Sequence, residues 1–143
     1  MIELALSLFA MSLYALASQQ LAGHAQSSEP LPRRWLGMAA LAVAAHAGVH
    51  LFAWFLLGGP DLHFFAALSL VGLGMAALTV ALGPAQRVEL LGIIVFPLAA
   101  ATLAAYAWFG GAPPRQGLDW PLKLHALLAL LAYATLAVAT LLA

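Results

Sequence analysis

The chain has 143 residues, of which 65% are hydrophobic and 7% are charged, and its formal net charge is zero with histidine counted as neutral. A water-soluble domain is about half apolar and about a quarter charged, so this composition excludes that class. A neutral chain without a basic patch argues against a nucleic-acid partner. The absence of cysteine excludes disulfides and thiolate metal sites.

The charged residues fall near the ends of long apolar segments. About 20 apolar residues in a helix cross the hydrocarbon core of a bilayer, and a helix satisfies its own backbone hydrogen bonds there. The pattern therefore predicts an all-α, polytopic membrane helix bundle that forms one domain. Its five transmembrane helices are predicted at residues 2–21, 34–57, 62–82, 88–109 and 122–142.

The first predicted helix is followed by a loop at 23–32, in which His24 is expected to be an ordinary loop or interface residue. The second helix contains His46 and His50. Their i, i+4 spacing places both imidazoles on one face, about 6 Å apart along the axis. Ionisable groups at this depth indicate either a functional site or a neutral pair that bonds a neighbouring helix. The pair cannot hold one haem between them, and a zinc site would need one or two further ligands.

A tight turn at 58–61 precedes the third helix, and Asp61 lies where the helix dipole favours an anion. His63 is at this entrance, where it is expected to be an interfacial residue or to act at or beside a ligand site. A second turn is predicted at 83–87. The closing segment, 118–143, is predicted to organise the chain: Asp119 is suited to a helix cap, Pro121 to the first turn, and His125 lies just inside the membrane entrance.

The distribution of basic residues sets the expected orientation. Three arginines lie on one side of the predicted helices, and one arginine and one lysine lie on the other: Arg33, Arg34 and Arg87 against Arg115 and Lys123. Because basic residues favour the cytoplasmic side, the N-terminus is predicted to be outside. His63 and His125 are then expected at the outer rim, with His50 about two turns below it.

The closing helix contains the run H-A-L-L-A-L-L-A-Y-A-T-L, which begins at His125 and includes Tyr133. This run resembles the segment of the CcsA/YpjD-type cytochrome c assembly family in which a histidine opens a transmembrane helix and an (S/A)-Y-A-(T/A)-L run follows. His46-Ala in the second helix and the L-S-L-V-G-L run in the third are similar to family features in the same order.

The resemblance implies a multi-pass protein of the bacterial inner membrane that binds or relays haem b near the outer face. His125 matches an axial haem ligand, with His50 or His63 as candidates opposite it and His46 as a further cofactor-binding candidate. Implied partners are the lipid bilayer, haem and other cytochrome-assembly or membrane subunits. Family members normally continue with more helices and a W-G-x-x-W-x-W-D motif, so the chain is expected to be an N-terminal portion or a shortened relative.

Two other classes remain open from the residues. One is a haem-containing quinone or electron-transfer anchor subunit, which would need histidines from a second chain to match the deep pair. The other is a non-catalytic scaffold or accessory subunit of a transporter or electron-transfer complex, for which the Ala/Gly-rich packing surface is suited. No nucleophile or acid–base set is visible, so the chain is not predicted to be an enzyme.

Overall fold

The computed structural model describes residues 1–25, 33–86, 89–110 and 119–143. Within these ranges the regular structure is entirely helical, which confirms the predicted all-α class. The helices are α1 (Ile2–His24), α2 (Arg34–Leu57), α3 (Phe64–Gln86), α4 (Gly92–Phe109) and α5 (Trp120–Leu142), with a 3₁₀ turn (Glu89–Leu91) before α4. All five are long and apolar enough to cross a membrane, α4 together with its 3₁₀ turn. The chain is therefore a multi-pass helical membrane protein.

The bounds of α2 agree with the prediction, but those of α1 and α3 do not. Helix α1 continues to His24, so this histidine is the last helical residue rather than part of a loop. Helix α3 begins after His63 and continues to Gln86. The predicted turn at Gly83 was wrong, because glycine and proline are tolerated within membrane helices that pack against neighbours. A Cβ atom on Gly83 would lie 3.3 Å from the ring of Trp35.

The start of α5 is close to the prediction. Asp119 occupies the N-cap position and Pro121 lies in the first turn, although the Asp119 side chain makes no capping hydrogen bond. Two of the basic residues behind the predicted orientation, Arg87 and Arg115, lie outside the described residues.

Helices α1 to α4 form the packed part of the bundle. Helix α1 contacts α2 and α4, and α3 contacts the same two helices from the other side. The ring of Phe96 fills the interior, with its centroid 5.8 Å from that of Tyr14 and 6.4 Å from that of Trp35. Gly72 allows α3 to approach α4, since a Cβ atom there would collide with Thr102 and lie 3.3 Å from the Cα atom of Ala99.

Helix α5 lies outside this four-helix core and packs mainly against α3. Only Ala134 and Val138 of α5 are buried, and Ala134 faces Gly74 of α3. The prediction that the closing segment organises the chain was therefore wrong. The physical reason is that α5 offers one narrow strip of small residues for packing, while its leucines face outward. A Cβ atom on Gly59 would lie 3.3 Å from Nζ of Lys123, so α5 begins beside the turn between α2 and α3, at what we call the α2–α3 end of the bundle.

Candidate functional site

The deep histidine pair is fully buried in the four-helix core. His46 is 0% exposed and His50 is 1% exposed. Their rings stack with centroids 5.5 Å apart, which confirms that the i, i+4 spacing places them on one face of α2.

A serine of α3 joins the two imidazoles. Oγ of Ser69 lies 2.8 Å from Nε2 of His46 and 3.0 Å from Nε2 of His50. The other nitrogen of His46, Nδ1, lies 3.3 Å from the hydroxyl of Tyr14 on α1. These four side chains, Tyr14, His46, Ser69 and His50, are called the buried network. The pair is therefore hydrogen-bonded to two neighbouring helices, as buried polar groups require.

From His50 the polar groups continue toward the α2–α3 end. The ring of Tyr106 lies with its centroid 4.7 Å from that of His50 and 5.9 Å from that of His63. Nδ1 of His63 is 2.7 Å from Oδ1 of Asp61, and the backbone N–H of His63 donates to the same oxygen. His50 and His63, which were expected in the outer half of the bundle, therefore contact the same tyrosine from different elements.

Three buried polar atoms in this region have no hydrogen-bond partner. They are Nδ1 of His50, Nε1 of Trp54 and Nε2 of His63. The ring of Trp54 lies 6.4 Å from that of His50, measured between centroids. An unbonded buried polar group costs about 1–3 kcal/mol, so these three nitrogens, on side chains that lie around His50 and Tyr106, favour the presence of a small polar ligand.

His125 has a different environment. It lies in the second turn of α5 and its side chain is exposed. No hydrogen bond or ring contact joins it to His46, His50 or His63 in the part of the chain that the structure describes. It lies at the same end of the bundle as His63, but on the outer surface.

The described residues include no metal cluster, and a pocket borders Tyr106. No group of three or more His, Cys, Asp or Glu side chains is arranged to hold a metal ion there. A pocket of about 210 Å³ lies between α1, α2 and α4, and its lining includes Glu3, Ser7, Val49 and Tyr106. This pocket borders Tyr106 but is not lined by a histidine.

Tyr14, Ser69 and Tyr106 were not singled out from the sequence as site residues. Their depth in the membrane could have identified them. Tyr14 lies near the middle of α1, as His46 does in α2, and a hydroxyl at that depth needs a hydrogen-bond partner. The sequence did not reveal which hydroxyl meets which imidazole, because that depends on how the helices are rotated against each other.

The chain matches no family model, no curated protein and no solved structure. Its function is therefore inferred from the residues of the site and from the resemblance of the closing helix.

Proposed function

We propose that this chain is an inner-membrane protein of cytochrome c assembly type that binds or relays haem at the α2–α3 end, with His125 as one axial ligand. The observation that carries the proposal is the exposure of His125 in the second turn of α5, beside the turn that bears Asp61 and His63. An exposed imidazole can bind a group as large as haem without opening the packed core. The same residue opens the run that resembles the family's haem-ligating segment.

His63 is the best-suited second ligand. Its Nδ1 is bonded to the Asp61 carboxylate, and its Nε2 has no partner. Metal-bound histidines usually donate their other ring N–H to a carboxylate in this way, which fixes the ring and the tautomer. The side chain of His63 is 21% exposed, so a modest local rearrangement brings Nε2 to the surface. Bound haem would supply redox-active iron, and the protein would supply imidazole nitrogens and their orientation.

The deep pair is less suited to this role. Both ring nitrogens of His46 are within hydrogen-bond distance of a hydroxyl, so neither is available to a metal. His50 has one nitrogen without a partner, but it is enclosed among Tyr106, Trp54 and Ser69. Both rings are fully buried, so the proposed haem lies on the outside of the bundle.

The test is a reduced-minus-oxidised absorption spectrum of mildly solubilised protein that has been supplied with haem. The wild type is compared with His125→Ala, His63→Ala and His24→Ala. His24 is the control, because it is the last residue of α1. We expect a b-type signal that is lost in His125→Ala, weakened or shifted in His63→Ala and unchanged in His24→Ala. A folded wild-type protein that gives no signal with haem present would refute haem binding.

A non-catalytic scaffold or accessory subunit is the second candidate, and the exposure of α5 favours it. Twenty-one of the 23 residues of α5 are not buried, which leaves a long helix face for another membrane chain. Co-purification of a defined membrane partner with cofactor-free protein would support this candidate. Loss of that partner when large residues replace Ala132 or Leu136, both exposed on α5, would identify the surface.

A further inference from the structure

The positions of the hydrogens in the buried network follow from Tyr14. This residue is 0% exposed, and among the described residues its hydroxyl has one hydrogen-bond partner, Nδ1 of His46. A phenol carries one hydrogen, and leaving it unbonded in the core is costly. Tyr14 therefore donates to Nδ1 of His46. Because a neutral imidazole carries a single N–H, the hydrogen of His46 is on Nε2.

The same reasoning continues through Ser69. Nε2–H of His46 donates to Oγ of Ser69 across 2.8 Å. Other hydroxyls of the bundle, such as those of Ser7, Ser12 and Thr79, donate to a carbonyl of their own helix, but within the described ranges no such bond is found for Ser69. Its hydrogen is therefore directed to Nε2 of His50, at 3.0 Å.

His50 then carries its own hydrogen on Nδ1. Both imidazoles are neutral in this arrangement, and no carboxylate of the described residues bonds to either ring to offset the cost of a buried charge. The atom at the end of the network is thus an N–H donor, and it is one of the buried atoms without a partner.

Trp54 and His63 contribute the other two buried nitrogens without partners, and these add one donor and one acceptor. Nε1–H of Trp54, one turn after His50 on α2, can only donate. Nδ1–H of His63 donates to Asp61, which leaves Nε2 of a neutral His63 as an acceptor. The region therefore offers two N–H donors and one nitrogen acceptor. The other ionisable groups nearby are Asp61, already bonded to His63, and Tyr106, whose ring packs between the two histidines.

We propose that His50, Trp54 and His63 form a binding site for a small oxygen ligand, and that its occupant is a water molecule. The water oxygen accepts from Nδ1–H of His50 and Nε1–H of Trp54, and one water hydrogen is donated to Nε2 of His63. Buried waters typically make about three hydrogen bonds to groups that otherwise lack partners, and this set supplies three. This is the arrangement of the haem-free protein, in which Nε2 of His63 bonds water rather than iron, and it links the buried network to Asp61 at the α2–α3 end.

The test is nitrogen NMR of the full chain in lipid bilayers, with ¹⁵N-labelled histidine and with assignments from single His→Gln variants. We expect His46 to carry its hydrogen on Nε2 and His50 to carry its hydrogen on Nδ1. Magnetisation from water should reach Nδ1–H of His50 but not Nε2–H of His46. A hydrogen on Nε2 of His50, or no transfer from water to its Nδ1–H, would overturn the proposal.

Two variants separate the water site from the network that sets the tautomer. Trp54→Phe removes one donor, so the water transfer to His50 should be lost while the His50 tautomer is unchanged. Tyr14→Phe removes the hydrogen that fixes which groups donate and which accept along the buried network, so His50 should populate both tautomers. The matched control is Trp108→Phe, which replaces a tryptophan that is 65% exposed and should change neither signal. Water transfer that persists at full strength in a folded Trp54→Phe protein would also overturn the site.

Discussion

Helices α2 and α5 have similar mean hydropathies, 1.8 and 2.0, and both carry histidine in an apolar sequence. The surroundings of the histidines nevertheless differ between the two helices. His46 and His50 of α2 are enclosed and hydrogen-bonded, whereas His125 of α5 is exposed. The neighbouring helices therefore determine the environment of a membrane histidine. Helix α2 faces a hydroxyl from α1 and another from α3, while α5 meets α3 chiefly through small residues.

The largest effect is expected where the four-helix core is tightest. In Gly72→Ala the added Cβ atom would collide with Thr102 and press on the backbone of α4 at Ala99. We expect the free energy of unfolding to fall by about 2–3 kcal/mol, as overpacking of a close helix contact does. Unfolding in mild detergent, driven by SDS or heat and followed by helicity, measures this change.

Gly48→Ala is the matched control, because a Cβ atom on Gly48 meets nothing within 4 Å. Its stability should be unchanged or higher by about 0.5–1 kcal/mol, since alanine is the better helix former. Equal losses in both variants would contradict the packing described for α3 and α4.

A smaller effect is expected from breaking the buried network at its centre. Ser69→Ala removes both hydrogen bonds to the histidines. Side-chain hydrogen bonds within membranes contribute about 0.6 kcal/mol on average, so we expect a loss of about 1–2 kcal/mol for two. Ser12→Ala is the control, because the exposed Ser12 bonds a carbonyl of its own helix. If the two serine variants lose the same free energy of unfolding, the stability of the histidine pair does not depend on Ser69.

The smallest loss is expected at the inner end of the network. Tyr14→Phe keeps the ring stacked on Phe96 and removes one hydrogen bond to His46. The unfolding free energy should fall by about 0.5–1 kcal/mol, as for a single bond within a membrane protein. The equivalent change in α5, Tyr133→Phe, affects a side chain that is 62% exposed and should have no measurable effect. A larger loss for Tyr133 than for Tyr14 would reverse the assignment of core and periphery.

Much of the fold was predictable because hydropathy and turn residues carry the information locally. The bounds of α2 and its glycine turn were correct, and Gly58 adopts the left-handed conformation (φ 71°) that ends the helix. The placement of His46 and His50 on one face of α2 also followed from helix periodicity alone.

The rest depends on contacts between helices that periodicity does not encode. Gly83 lies within α3 and packs close to Trp35, which no local signal indicated. Ser69 and Tyr14 become partners of the histidines only through the rotation of α3 and α1. Helix α5 was expected to be central because of its motif, but a motif does not determine how many neighbours a helix has.

The most direct test of the difference between α2 and α5 is the rate at which diethyl pyrocarbonate modifies each histidine of the folded protein in lipid nanodiscs, read by mass spectrometry. The arrangement of the helices predicts rapid modification of His125, slower modification of His63, and protection of His46 and His50 until the protein is unfolded. Modification of His46 or His50 at the rate of His125 would contradict it, because an imidazole enclosed in the four-helix core cannot meet the reagent.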